Sequence, residues 1–136
     1  MTQYFSAFSE EKQAEYEKYA MEHWDKQLVR QSSRRWGGMN QAEKDALMAE
    51  GERITLELAA AIPLGSSDPA VQELVDQWYT YINRLYDCSL EIFQALGVMY
   101  EQNPDFNSFY QKIHPALPEF LKNAIRVYCN EHGMIE

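Results

Sequence analysis

The sequence predicts an all-α domain, and two observations carry that prediction. Between sharp breaks the apolar residues recur at helical spacing throughout. No segment alternates polar and apolar residues over the length of a strand. The breaks are Gly37-Gly38, the loop from Pro63 to Pro69 with Gly65, Ser66 and Ser67, the turn Asp87 to Ser89, and the steps Asn103-Pro104 and His114-Pro115. They divide the chain into six helical segments.

The first helix is predicted to start near Ser9 as N-cap, with Glu10 and Glu11 in the positive first turn. It carries Tyr16, Tyr19, Ala20, Trp24 and Leu28, with a bend expected before Arg35. Asn40 opens the second helix, and Glu43 three residues on completes a capping box. Its apolar positions are Leu47, Gly51, Ile54, Leu58 and Ile62. Asp68 caps the third helix and Pro69 takes its first position, where a missing N–H costs nothing. The fourth begins at Ser89, the fifth at Asn103-Pro104, and the last runs from about Pro115 to Asn130.

On the third helix, at about 100° per residue, Val71, Leu74, Val75, Trp78, Ile82 and Leu85 form one apolar stripe. Tyr81 lies at one border of it, and Tyr79 and Tyr86 at the other. An aromatic border suits ordinary helix packing. It also suits the wall of a cleft, where Tyr rings give area and a hydroxyl gives direction.

At 136 residues the chain is read as one domain over 1–136, with 1–8 as a flexible tail. The net charge of −9 argues against direct nucleic-acid binding, because phosphate contacts need clustered Lys and Arg and only Arg30, Arg34 and Arg35 come close. An anionic membrane surface is excluded on the same ground. The apolar run from Leu56 to Leu64 is too short to span a bilayer. No secretory signal is visible in Met1 to Glu11, so a cytoplasmic location is expected. Cys88 and Cys129 are expected as free thiols, and no His stands at metal-ligand spacing from either.

His23, His114 and His132 have no Ser, Cys or Asp partner at a catalytic spacing, and no HExxH, GxSxG or phosphate-loop pattern occurs. His114 sits at a break rather than on an apolar helix face, which argues against a haem ligand. The carboxylates, Glu50 and Glu52 among them, are read as lying on solvated faces, so no acid–base pair is expected and no cofactor is assigned. Cys88 has two readings. At the entrance of the fourth helix it is a candidate reactive thiol, partly exposed and favoured as thiolate by the dipole, with Asp87 opposing. Its other reading is a small buried hydrophobe.

Several segments in order resemble the TipA-type (TipAS) antibiotic-binding domain, the effector domain of some MerR-family transcription regulators. They include Ser9 to Gln13, Gln31-Ser32 to Arg35-Trp36, Met39 to Glu43, Gly65 to Val75, Trp78 to Ser89, Met99-Tyr100 with Pro104 to Phe106, and Leu117 to Leu121. The resemblance implies a globin-like arrangement of six helices without haem. It also implies a cleft for thiopeptides or other bulky hydrophobic, often cationic drugs, and a cysteine that adds to a ligand dehydroalanine, matched here by Cys88. Helices near the N-terminus are implied to order on ligand binding. The helix-turn-helix and coiled coil of a MerR protein do not precede Ser9, so a stand-alone form or an excised domain is expected.

The expected function is therefore binding of a hydrophobic small molecule or thiopeptide, without catalysis. The expected ligand-binding residues are Trp78, Tyr79, Tyr81, Tyr86, Cys88 and Tyr100, with Trp24 or Trp36 in a lid. A flat aromatic cation suits Trp78 and its neighbouring tyrosines through cation–π contact. The rival reading is a protein-interaction module whose aromatic groove takes a partner helix.

Overall fold

Residues 26–133 of the chain are described by a computed structural model. Six α-helices lie among them: α1 (Lys26–Gly37), α2 (Gln41–Ala60), α3 (Pro69–Leu85), α4 (Leu90–Gln102), α5 (Pro104–Ile113) and α6 (Leu117–Glu131), with a 3-10 turn at Ile62–Leu64. No strand occurs among the described residues, and the chain has the all-α architecture its periodicity predicts. The earlier part of the first predicted helix, including Ser9 and Trp24, lies outside the described residues, as does the segment 1–8.

Local chemistry sets most helix starts. Asn40 Oδ1 accepts from the Glu43 N–H at 2.8 Å, and Glu43 Oε1 accepts from the Asn40 N–H at 3.0 Å, the reciprocal pair of a capping box. Asp68 accepts from the Ala70 N–H at 2.8 Å ahead of Pro69. Ser89 Oγ accepts from the Ile92 N–H at 3.2 Å. Asn103 Oδ1 accepts from the N–H groups of Asp105 and Phe106. Such caps are worth about 1 kcal/mol each.

Three boundaries differ from the sequence reading. α1 passes through Arg35 as helix and ends at Gly37, where the Gly38 N–H returns to the Arg34 carbonyl at 3.0 Å. α6 starts at Leu117 rather than near Pro115, because His114 Nδ1 accepts from the Ala116 N–H at 3.0 Å and holds the intervening residues in a turn. α3 ends at Leu85, and Tyr86 is its extended cap rather than a residue on the helix.

α4 and α6 form the most extensive helix pair. They approach closely at Gly97, where an added Cβ would lie 3.3 Å from Ile125. α3 lies between this pair and the first two helices, touching α1, α2 and α6. Its Asp76 accepts from Tyr128 Oη at 2.6 Å, and its Gln72 side chain donates to the Ala124 carbonyl at 3.1 Å. Val71, Val75, Phe93, Leu117, Leu121 and Ile125 are fully enclosed between these elements. Each contributes roughly 1.5–3 kcal/mol on burial.

α2 meets α3 across a second glycine. A Cβ on Gly51 would lie 2.6 Å from Tyr81 Oη and 2.8 Å from Cζ. Tyr81 is itself buried against Trp78, so its ring has little room to retreat. The next residue corrects an expectation: Glu52, expected on a solvated face, is only 8% exposed. The buried face of α2 therefore extends past its apolar stripe to include this carboxylate residue.

Gly51→Ala tests this contact. Alanine gains about 1 kcal/mol of helix propensity, so without a clash the variant would be the more stable one. We expect instead a net loss of about 1–2 kcal/mol from overpacking, read as a lower urea midpoint with an unchanged slope.

Candidate functional site

A cavity of about 160 Å³, open on one side, lies where α1 to α5 converge. α3 provides the longest wall, with Trp78, Tyr81, Ile82, Leu85 and the extended Tyr86. α4 and α5 close the far side with Leu96, Tyr100, Phe106 and Tyr110. α2 adds Leu47 and Met48, and α1 adds Ser32 and Trp36.

The rings in this wall hold one another. Trp78 stacks on Tyr81 with centroids 4.9 Å apart and planes 15° from parallel. Its Nε1–H donates to Tyr100 Oη at 3.1 Å, which satisfies a donor that is otherwise deeply buried. Tyr100 in turn meets Phe106 and Tyr110 edge-on, at 5.5 and 4.9 Å. Offset-stacked and edge-to-face pairs are the favoured geometries for ring quadrupoles. The wall is therefore preorganised, with apolar faces inward and the Ser32 and tyrosine hydroxyls as its polar groups. Burial pushes the Tyr81 phenol up to about 12, so that hydroxyl stays neutral.

Of the residues singled out from the sequence, the structure brings Trp36, Trp78, Tyr81, Tyr86 and Tyr100 to this cavity. Trp24 lies outside the described residues. Tyr79 and Cys88 are not among the lining side chains. The two borders of the α3 stripe face different neighbours. Tyr81 turns to α2, whereas Tyr79 packs on Phe93 of α4 and Tyr128 of α6 at 4.8 and 5.5 Å. The sequence reading missed Leu47, Met48, Phe106 and Tyr110, which come from two other helices and share no pattern with α3.

Cys88 corrects an expectation. The thiol is 4% exposed rather than partly open, and it points to the Ser89 carbonyl at 3.5 Å. Its backbone is pinned on both sides: the N–H donates to Asn83 Oδ1 at 2.9 Å, and the carbonyl accepts from Tyr79 Oη at 2.6 Å. Burial first, and then the neighbouring Cys129, push the thiol up to about 12. Desolvation outweighs the helix dipole here, and in this structure the thiol packs as a small buried group rather than a partly exposed one.

The α1 wall is held differently from the rest. Arg35 Nη2 donates to Asp87 Oδ1 at 2.9 Å, and Arg35 Nη1 to the Asn83 carbonyl at 3.1 Å. Gln31 Oε1 accepts from the Asp87 N–H at 2.6 Å, while its amide donates back to Asp87 Oδ2. Asp87 is 76% exposed, so this latch works in water. At the residue after Arg35, Lys44 Nζ stands 5.4 Å over the Trp36 ring.

Among the described residues no helix is long and apolar enough to cross a membrane. None of their His, Cys, Asp and Glu side chains gather into a group placed to hold a metal ion.

The six helices of the described residues, gathered on a preorganised aromatic cavity, have the build of an all-helical recognition domain. The model of the TipAS antibiotic-recognition domain matches residues 16–128, and the chain belongs to that family. It is 28% identical over 122 residues to the HTH-type transcriptional activator mta of Bacillus subtilis (strain 168), covering 89% of this chain and 48% of that protein. It is 29% identical over 133 residues to the HTH-type transcriptional regulator SkgA of Caulobacter vibrioides (strain NA1000 / CB15N), covering 92% and 52%. The chain thus spans about half the length of these curated relatives. Its fold matches that of TipAS from Streptomyces lividans, solved in complex with nosiheptide, with a TM-score of 0.79 over 89% of this chain and 87% of that one, at 20% identity.

Two outcomes follow from the site's electrostatics. At pH 8 Cys88 should react with a small aromatic disulfide far more slowly in the folded protein than in denaturant. Fast labelling of the folded state would contradict the buried thiol. The Asp87 carboxyl is held below the usual range by Arg35 and then Gln31. Its contribution is therefore complete above the ordinary carboxylate pKa and lost as pH falls through the lowered folded-state value. Amide NMR shifts of α1 should move along that acid titration, and Asp87→Asn should show the acid-state shifts already at pH 7.

Proposed function

We propose that this chain is a ligand-sensing domain that takes an aromatic, hydrophobic molecule into the α1–α5 cavity. The observation that carries the proposal is the preorganised ring wall around Trp78, open on one side. Few buried polar groups amid apolar and aromatic faces are what a small-molecule site requires. Membership in the TipAS family supports the same reading. The nosiheptide bound to the Streptomyces protein supports a thiopeptide antibiotic as one ligand class. In a longer chain such as those of the HTH-type relatives, the domain would be the effector-sensing part of a cytoplasmic regulator. The DNA-reading role would fall elsewhere, since a net charge of −9 disfavours phosphate contacts.

Cavity size constrains how a ligand sits. A cavity of about 150 Å³ holds a single benzene ring, so this one receives a ring system rather than a whole thiopeptide. The remainder of a large ligand would lie outside the opening or require α1 to move. Binding through the cavity is reversible in this conformation, because the Cys88 thiol is enclosed and neutral.

Tryptophan fluorescence titration with thiopeptides and small aromatic dyes tests the proposal. Saturable quenching at micromolar ligand is expected. Leu85→Phe, which fills the cavity from its half-buried wall, should abolish quenching without lowering the melting temperature. Cys88→Ser should bind as the parent does and show no change in adduct mass. Unaltered binding by Leu85→Phe would place the ligand elsewhere.

A further inference from the structure

One helical turn beyond Met48 of the cavity wall, α2 carries a buried carboxyl that is not itself among the lining side chains. Glu52 is 8% exposed, and its Oε2 has no hydrogen-bond partner among the described residues. The other acidic side chains of this stretch are differently placed. Glu50 and Glu57 lie on the opposite flank of α2 and pair with Arg53 at 3.0 and 2.6 Å, and Glu50 also pairs with Arg84 at 3.0 Å. Those cations are occupied on that flank, away from Glu52.

A buried carboxyl without a partner is costly, and native structures retain few such groups. Glu52 follows Met48 by one helical turn, on the same face, and Met48 lines the cavity. Long helical side chains lean toward the N-terminus of their helix. The Glu52 carboxyl therefore leans toward Met48 at the cavity wall. Methionine is flexible and fills irregular gaps, so a ligand that displaces its thioether gains access to the carboxyl.

We propose that Glu52 is the charge-selecting residue of the cavity, the counter-ion for a cationic group carried by an aromatic ligand. The inference rests on the cavity being the binding site. It assigns the class of ligand that the site prefers: a planar aromatic cation, its rings against Trp78 and Tyr81 and its charge toward Glu52. The ring faces attract a cation as well, but they also accept neutral rings. Glu52 discriminates between the two, because without a cation its carboxyl stays unpaired.

The test uses two probes of one shape, N-methylquinolinium and 1-methylnaphthalene, titrated into the whole chain and into Glu52→Gln. The cation's charge is permanent, so its protonation does not enter. Wild type should bind both, and Glu52→Gln should lower the cation-to-neutral affinity ratio by about 10-fold, with the neutral probe's affinity kept. An unchanged ratio overturns the assignment of Glu52 and leaves the cavity reading standing. Parallel loss of both probes in Glu52→Gln would mean a structural role and also overturns it. Failure of wild type to bind either probe overturns the cavity reading, and this proposal with it.

Discussion

The Trp78 ring lies flat on Tyr81, and Tyr81 reaches the backbone of α2 only because residue 51 has no side chain. That contact fixes the distance between α2 and α3. The indole N–H then has one direction left, toward Tyr100 Oη on α4. Tyr100 in turn sets the edges of Phe106 and Tyr110 on α5. One stacked pair thus positions walls from four helices. The cavity is what remains between surfaces whose spacing this chain of rings has determined. Dense packing elsewhere, such as α4 on α6 across Gly97, gives the rings a base that does not yield.

The two sides of the cavity differ in what holds them. The α3–α4–α5 side is joined by buried rings and a buried hydrogen bond, interactions that water does not weaken. The α1 side is joined by Arg35 and Gln31 to an exposed Asp87, and by Lys44 over a half-buried Trp36. Exposed ion pairs contribute little to stability, and cation–π contacts at exposed sites are similarly modest. The polar contacts that hold α1 are therefore weaker than those that join the other walls. On the proposed function, a site of about 160 Å³ that takes ligands larger than one ring system needs a wall of that kind.

Much of the fold was legible because its signals are local. The Asn40, Asp68, Ser89 and Asn103 caps act within three residues, so a sequence displays both partners. The site was legible only in part, for three separate reasons. A helical projection separates Tyr79 from Tyr81 but does not say which neighbour each border meets. It placed Tyr86 on α3, whereas the helix ends one residue earlier and Tyr86 reaches the cavity from an extended cap. Cys88 obeyed a local rule, thiolate at a helix entrance, that tertiary burial cancels. Glu52 followed a run of exposed charges, and nothing in that run distinguishes it from Glu50.

Charge placement on α2 ties these points together. The helix presents one acidic flank to Arg53 and Arg84, where neutralisation occurs in water at little cost. Glu52, the residue after the Gly51 that receives Tyr81, is by contrast out of water. A sequence selected for stability alone would place an apolar residue there, since well-packed hydrophobic groups commonly match or exceed buried ionic ones. Gly51, whose contact with Tyr81 sets the spacing of α2 and α3, is followed directly by this buried carboxyl. If Glu52 acts as proposed, one helix sets both properties of the site: α2 fixes its spacing through Gly51 against the Trp78–Tyr81 stack and carries its charge preference at the next residue.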